Sequence, residues 1–407
     1  MIQTNASANT MSFQFGIDRL LSSPEQIEYL KSKQVGLVGH PASVTGDLEH
    51  SLDALMKAGV PIIKTFGPQH GMRGDKQDNM IETTDYVDPQ HNIPVVSLYG
   101  EHRKPTPQML EGIDIVLFDL QDIGCRIYTY ITTLRYFIEV CDHHETELWI
   151  LDRPNPAGRQ IDGLTLEPGQ QSFVGADILP TRHGLTVGEL AKWFAAKNEF
   201  KTSLSIVPMG NYSPIDAPWP IDTAWVNPSP NAASLNMTRC FPGTVLLEGT
   251  TLSEGRGSTI PLEVIGAPGL PVEEMLARLE NEAPSWCDGV AIRPCFFEPT
   301  FHKHVHTMCS ALQIHTDHQS YRPDNFYPYR LIAGLLKCLR LLRPDYDLWR
   351  HHDYEYELDR IPIDVINGGP ALREWVDDPT QSFNDFESRL VNDATSWSLE
   401  RSPHLIY

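Results

Sequence analysis

The feature that most constrains this chain is an alternation, between residues 34 and about 155, of short apolar runs with amphipathic segments. The runs QVGLVGH, PIIKTFG, IPVVSLYG, GIDIVLFDLQD and ELWILDRPNP are nearly all apolar before they end in polar groups. Between them stand DLEHSLDALMKAG, with helical spacing and a Gly stop, and TYITTLRYFIEVCDHH. A strand apolar on both faces must be covered on both faces, so the pattern predicts an open parallel α/β sheet of Rossmann-like type. No G-x-G-x-x-G follows the first run, so dinucleotide binding is not expected. At 407 residues the chain is long for one core, and the remainder predicts a smaller α+β domain. The expected division is a flexible tail over 1–13, the Rossmann-like domain over 14–235 and the C-terminal domain over 236–407. Helices are expected at TVGELAKWFAAKN, VEEMLARLENEA and YRLIAGLLKCLRLL, and a strand at TMCSALQIHT.

Charge narrows the partners. The 32 Lys and Arg against 53 Asp and Glu give −21, which argues against nucleic acid or an anionic membrane surface. The longest apolar run, LIAGLLKCLRLL, carries Lys337 and Arg340 and reads as a buried amphipathic helix, not a membrane span. The 7 cysteines are scattered, never in C-x-x-C spacing, and fit a reduced chain better than a disulfide framework. The N-terminus lacks a basic stretch ahead of an apolar core, so no signal peptide is expected and a cytoplasmic location is. The oligomeric state is left open.

In an open parallel sheet, ligands sit beyond the carboxyl ends of the strands. Each expected strand here ends in functional groups: His40; Gln69 and His70; Glu101, His102 and Arg103; Asp119, Gln121 and Asp122; Asp152, Arg153 and Asn155. His, Arg and Gln are not turn formers, so these ends are expected to converge on one rim, although Asp, Asn and Gly are ordinary turn residues. Glu101, just past a buried strand, is expected to be partly desolvated, with a pKa raised toward that of a general acid. Asp122 and Asp152 fit a catalytic role or equally a structural ion pair with Arg126 and Arg153. The stretch LLEGTTLSEGRGST places Glu248, Ser253, Glu254 and Arg256 between glycines, either as a ligand loop or as a plain turn. Arg73, Arg103, Arg126, Arg153, Arg182 and Arg256 favour an anionic substrate, with salt bridging as the alternative. In FHKHVHTMC, His302, His304 and His306 share a face if the run is a strand, but nothing nearby completes a ligand set, and no metal is expected. A G-x-S-x-G elbow is missing.

The blocks FGPQHGMRGD, VVSLYGEHRKPT, GIDIVLFDLQDIGCRIYTYITTL, LDRPNPAGRQIDG, VNPSPNAASLN, FPGTVLLEGTTLSEGRGST and QIHTD occur here in one order. Over about residues 14 to 350 the chain resembles the NamZ-type exo-β-N-acetylmuramidases, long described only as a domain of unknown function. The resemblance implies an active site between a Rossmann-like N-terminal domain and a C-terminal domain. It implies hydrolysis that releases N-acetylmuramic acid from the non-reducing end of peptidoglycan fragments, without a cofactor. The substrate is then a small anionic carbohydrate, whose lactyl carboxylate gives the arginines a partner. Glycoside hydrolysis ordinarily uses two acids, and Glu101, Glu254 and Asp122 are the expected catalytic groups. Gln69, His70, Arg73, Arg153, Asn231, Glu248 and Arg256 are expected around the substrate. Where the family reads Pro-Glu-His-Gly, this chain has Pro68-Gln69-His70-Gly71, so that glutamate does not carry over. Either another carboxylate such as Glu82, Glu101 or Asp75 supplies the proton, or Gln69 orients the substrate's own 2-acetamido group as nucleophile. A third outcome is a chain that binds a cell-wall sugar acid or cleaves another glycoside. Without a leader, the expected role is recycling of released fragments.

Overall fold

The computed structural model describes residues 12–74 and 84–407. Residues 1–11 of the expected tail lie outside that range, as do Asp75 and Glu82. All five expected strands form: β1 Val35–Val38, β2 Ile62–Gly67, β4 Pro94–Ser97, β5 Ile115–Phe118 and β6 Glu147–Leu151, with a short β3, Tyr86–Val87, on the edge. A hairpin, β7 Asp162–Thr165 and β8 Pro180–Arg182, precedes one more parallel strand, β9 Leu204–Val207. The sheet runs β3-β4-β2-β1-β5-β6-β9, parallel throughout except for β3. Leaving β3 aside, this is the doubly wound order, which reverses between β1 and β5.

Why the central strands are apolar without alternation is visible in their packing. Val116 and Phe118 of β5 pack with Leu134, Phe137, Leu190 and Phe194 from the helices Tyr130–His144 and Val187–Lys197. Ile115 and Leu117 pack instead with Ile17, Leu20, Leu52 and Leu55 from the helices Gly16–Leu21 and Ser51–Lys57. The period of two therefore feeds two separate apolar layers.

The C-terminal part has a small antiparallel sheet, order β10-β12-β11, from β10 Val264–Ala267, β11 Ala291–Phe297 and β12 Cys309–His315. Helices Val272–Glu282 and Pro328–Leu342 form where expected. The latter is almost wholly buried, and Lys337 Nζ donates to the carbonyls of Trp375 (2.7 Å) and Asp378 (2.6 Å), as a buried amine must. No helix among the described residues is long and apolar enough to cross a membrane.

The two parts share a core. After β5 the chain runs extended, and Ile123, Cys125 and Ile127 enter the same apolar cluster as Leu246, Leu262 and Ile332. Arg126, between them and fully buried, donates to the carbonyls of Leu164 (3.0 Å), Leu179 (2.8 Å), Ile366 (3.1 Å) and Asn367 (2.6 Å). Ile366 and Asn367 end the helix Pro362–Asn367, where carbonyls lack intrahelical partners and a cation is favourable. Later, Trp397 of the helix Phe383–Arg401 returns to the N-terminal layer, edge-on to Trp193 at 4.9 Å.

Arg126→Met removes the donor to these buried carbonyls and is expected to cost about 3–5 kcal/mol in urea unfolding. Arg389→Met, at a solvated pair with Glu167, should change stability by less than about 0.5 kcal/mol.

Candidate active site

Between the two parts lies a cleft whose N-terminal wall comes from the loop after β2 and the segment leading into the helix Tyr130–His144. The first supplies Gln69 and His70, the second Tyr128 and Thr129. Strand β2 stops at Gly67, and the chain turns with His70 at φ 74° and Gly71 at φ 79°. A left-handed histidine is uncommon and marks a loop held by its surroundings. Thr129 Oγ1 donates to Gln69 Oε1 at 3.0 Å, which ties the carboxamide to the start of the next helix. Tyr128 is half-buried and packs edge-on against Tyr130.

The opposite wall is C-terminal: Glu248, Arg256, Tyr354 and Glu355, over an apolar floor that includes Met237, Phe241 and Leu262. Glu248 is tied down, accepting from Arg256 at 2.6 Å and from the Tyr354 hydroxyl at 2.7 Å. Glu355 is buried, and its Oε2 accepts from the Tyr99 hydroxyl at 3.3 Å. Burial, and then the nearby charge of Glu248, push the Glu355 carboxyl up to about 7.

Of the residues expected at the site, Gln69, His70, Asn231, Glu248 and Arg256 line this cleft. The others do not. Glu101 is exposed, 3.8 Å from His102, so the desolvation expected of it is not there. Glu254 lies buried behind the wall, 2.8 Å from Lys303, 3.2 Å from Arg256 and 3.5 Å from His302. Burial would raise its carboxyl, but Lys303 and Arg256 outweigh that and hold it well below the usual carboxylate range, so it stays an anion and is no proton donor. Asp122 accepts from the Gly124 N–H at 2.6 Å and faces His183 at 3.5 Å in the interior, where it shapes the turn. Arg73 pairs with Asp53 (3.0 Å) and Asp88 (3.1 Å). Arg153 grips Asp119 through Nε (2.6 Å) and a second guanidinium nitrogen (3.0 Å), both partners buried.

The ends of β1, β5 and β6 therefore do not meet the cleft. The crevice between β1 and β5 is filled from within, where the Gln121 N–H donates to His40 Nε2 at 2.9 Å. Burial, followed by the Arg153 charge, pushes His40 down to about 3 and keeps it a neutral acceptor. Asp152 binds the Gly188 N–H and the Thr186 hydroxyl, each at 2.8 Å, at the start of the helix Val187–Lys197. The histidine run is not a strand: His302, His304 and His306 have φ of 71°, 55° and 56°. Among the described residues no group of His, Cys, Asp and Glu could hold a metal ion.

Sequence reasoning missed Tyr128, Thr129, Tyr354 and Glu355. The signal for the last two is DYEYELD, an acid- and tyrosine-rich run that lies in a turn far from any strand end, while Tyr128 and Thr129 directly precede the helix Tyr130–His144.

Residues 35–236 match the family described as Exo-beta-N-acetylmuramidase NamZ, N-terminal, and residues 239–407 its C-terminal counterpart. The peptidoglycan beta-N-acetylmuramidase NamZ of Bacillus subtilis is 36% identical over 99% of this chain and 93% of its own length. A crystal structure of a DUF1343 family protein from Bacteroides fragilis superposes with a TM-score of 0.83 at 28% identity, covering 97% of this chain and 99% of that one. A second such protein from that organism gives 0.73 at 22% identity with the same coverage, which bears on the fold alone.

The raised Glu355 pKa has a definite sign. The folded state binds this proton more tightly than the unfolded chain, so the stability it contributes is whole below about 4.5 and lost as pH rises through about 7. Glu355→Gln should therefore melt higher than wild type at pH 8, by up to about 3 kcal/mol, and match it at pH 4. Thermal melts at the two pH values check this.

Proposed function

Because this chain belongs to the NamZ exo-β-N-acetylmuramidase family, we propose that it is an exo-acting glycosidase releasing N-acetylmuramic acid from the non-reducing end of peptidoglycan fragments. The observation that carries the reading is the opposition of the two walls. A fixed carboxamide, Gln69, stands across the cleft from a wall of two glutamates and an arginine.

Each group has work suited to this substrate. A carboxamide has no proton to give, so Gln69 is a binding group, its N–H donating to the carbonyl of the sugar's 2-acetamido group. Held there, the acetamido oxygen can attack C1 from within the substrate, which dispenses with an enzymic nucleophile. Arg256 spends one nitrogen on Glu248 and another on Glu254, and its remaining N–H groups suit the lactyl carboxylate. The apolar floor takes the sugar's carbon face. A recycling role inside the cell belongs to the same reading. All seven cysteines are free thiols, which suits a reducing compartment, and cell fractionation tests the location.

The test is release from an aryl β-N-acetylmuraminide beside the matching β-N-acetylglucosaminide. Wild type should cleave the muraminide alone, and Gln69→Leu should lose about 10–100-fold in kcat/KM, the worth of one or two oriented hydrogen bonds. Muraminide that binds and is returned uncleaved would make the chain a binder of cell-wall sugar acids. Activity gained only in Gln69→Glu would mean the catalytic acid was lost at that position.

A further inference from the structure

We propose that Glu355 is the catalytic acid of this cleft, delivering its proton to the leaving glycosidic oxygen, an inference that rests on the glycosidase reading above. The geometry singles it out. Among the described residues the buried glutamates are Glu189, Glu254 and Glu355. Glu189 is ion-paired with Arg159, and Glu254 with Lys303. Glu355 forms no ion pair among the described residues, and it alone of these buried glutamates lines the cleft. Its Oε2 is held by Tyr99, and its other oxygen has no hydrogen-bond partner among the described residues, leaving that oxygen for a ligand.

The backbone beneath it points the same way. Glu355 and Tyr356 both sit in the left-handed region, at φ 44° and 71°. Such conformations cost of order 1–3 kcal/mol each in non-glycine residues and persist where the surroundings impose them. Here they are imposed by the Glu357 N–H donating to the Tyr354 carbonyl at 2.9 Å, and by the Arg103 guanidinium 3.2 Å from the Tyr356 ring centre. The loop is held in a shape that a free chain would avoid, and the result is a carboxyl group presented to the cleft.

Burial raises the Glu355 pKa first; among its charged and titratable neighbours Glu248 raises it further, while the Tyr99 hydroxyl and Arg103 lower it. Glu248 itself is anchored by Arg256 and Tyr354, so of the two carboxyl groups Glu248 is the one held by partners and Glu355 the one left open to the cleft. In the first step the Glu355 O–H proton passes to the glycosidic oxygen as the C1–O bond breaks and the acetamido oxygen closes on C1. The leaving sugar departs as an alcohol and Glu355 becomes a carboxylate. Water then adds to C1 as the acetamido oxygen leaves, and its proton returns to Glu355.

The experiment compares wild type, Glu355→Gln and Tyr99→Phe on two muraminides: 2,4-dinitrophenyl, whose leaving group needs no proton, and the unactivated disaccharide with N-acetylglucosamine. Glu355→Gln should lose about 10²–10⁴-fold in kcat/KM on the disaccharide and no more than a few-fold on the dinitrophenyl substrate. Wild-type kcat/KM should fall above about pH 7, and Tyr99→Phe should move that limb upward, because it removes a donor that favours the carboxylate. Equal losses on both substrates, or none on either, overturn the inference while the glycosidase reading stands. A wild type inactive on both sinks that reading and the inference with it. Should Glu355→Gln fail to fold, the Tyr99→Phe limb decides: an unmoved limb removes Glu355 from the role.

Discussion

Arg126 is the interaction on which the geometry of the cleft depends. Its side chain donates to carbonyls from the β7–β8 region on one side and from the end of the helix Pro362–Asn367 on the other. No carboxylate among the described residues pairs with it, and burial pushes its guanidinium down to about 10, still charged at neutral pH. Backbone carbonyls cannot titrate or rotate away, so this cation is clamped by groups that belong to the fold itself. Two residues further on, Tyr128 and Thr129 enter the cleft. On the other side, the helix it caps begins at Pro362, a short bend after the Glu355 turn. One buried residue thus sets the spacing of the two walls.

What was legible in the sequence was whatever packing alone decides. The runs that became β1, β2, β4, β5 and β6 are apolar because both faces are covered, and that survives reading without a structure. Strand β9 escaped because it is a half-exposed edge, with Leu204 and Ile206 only partly buried and Ser205 exposed. The site was read less well for a physical reason. Polar residues after a buried strand serve either a ligand or the chain's own unpaired groups, and sequence does not separate the two. At His40, Asp122, Asp152 and Arg153 the chain's own needs prevailed. At Gln69 and His70 the cleft prevailed, because Gly67-Pro68 ends β2 abruptly and the next residues are turned out of the sheet.

The glutamates illustrate the same ambiguity through charge. Glu254 drew attention as an acid between glycines, yet those glycines let the backbone fold it inward, where Lys303, His302 and Arg256 reach it. A carboxylate so paired is a good anchor for an arginine and a poor acid. Glu355, in an ordinary acidic turn, gains its properties from tertiary structure, first from its burial and then from Glu248, distant in sequence. Perturbed ionisation is a tertiary property, so the group best suited to move a proton is the one a linear reading is least able to find.

This also bears on why a glutamine is tolerable after β2. Tyr99 belongs to the segment that follows β4 and Glu355 to the C-terminal part, so the acid is completed only when the two domains are docked. If the proton is carried on the C-terminal wall, as proposed, a second neutral acid on the N-terminal wall would have nothing to protonate. An ionised one would face Glu248 across the cleft and add repulsion at the glycosidic centre. A carboxamide keeps the size and the hydrogen-bond donor of that side chain while removing its charge. On the proposed assignment Gln69 and Glu355 are complementary: the carboxamide would bind the sugar, and the carboxyl on the far wall would give up the proton.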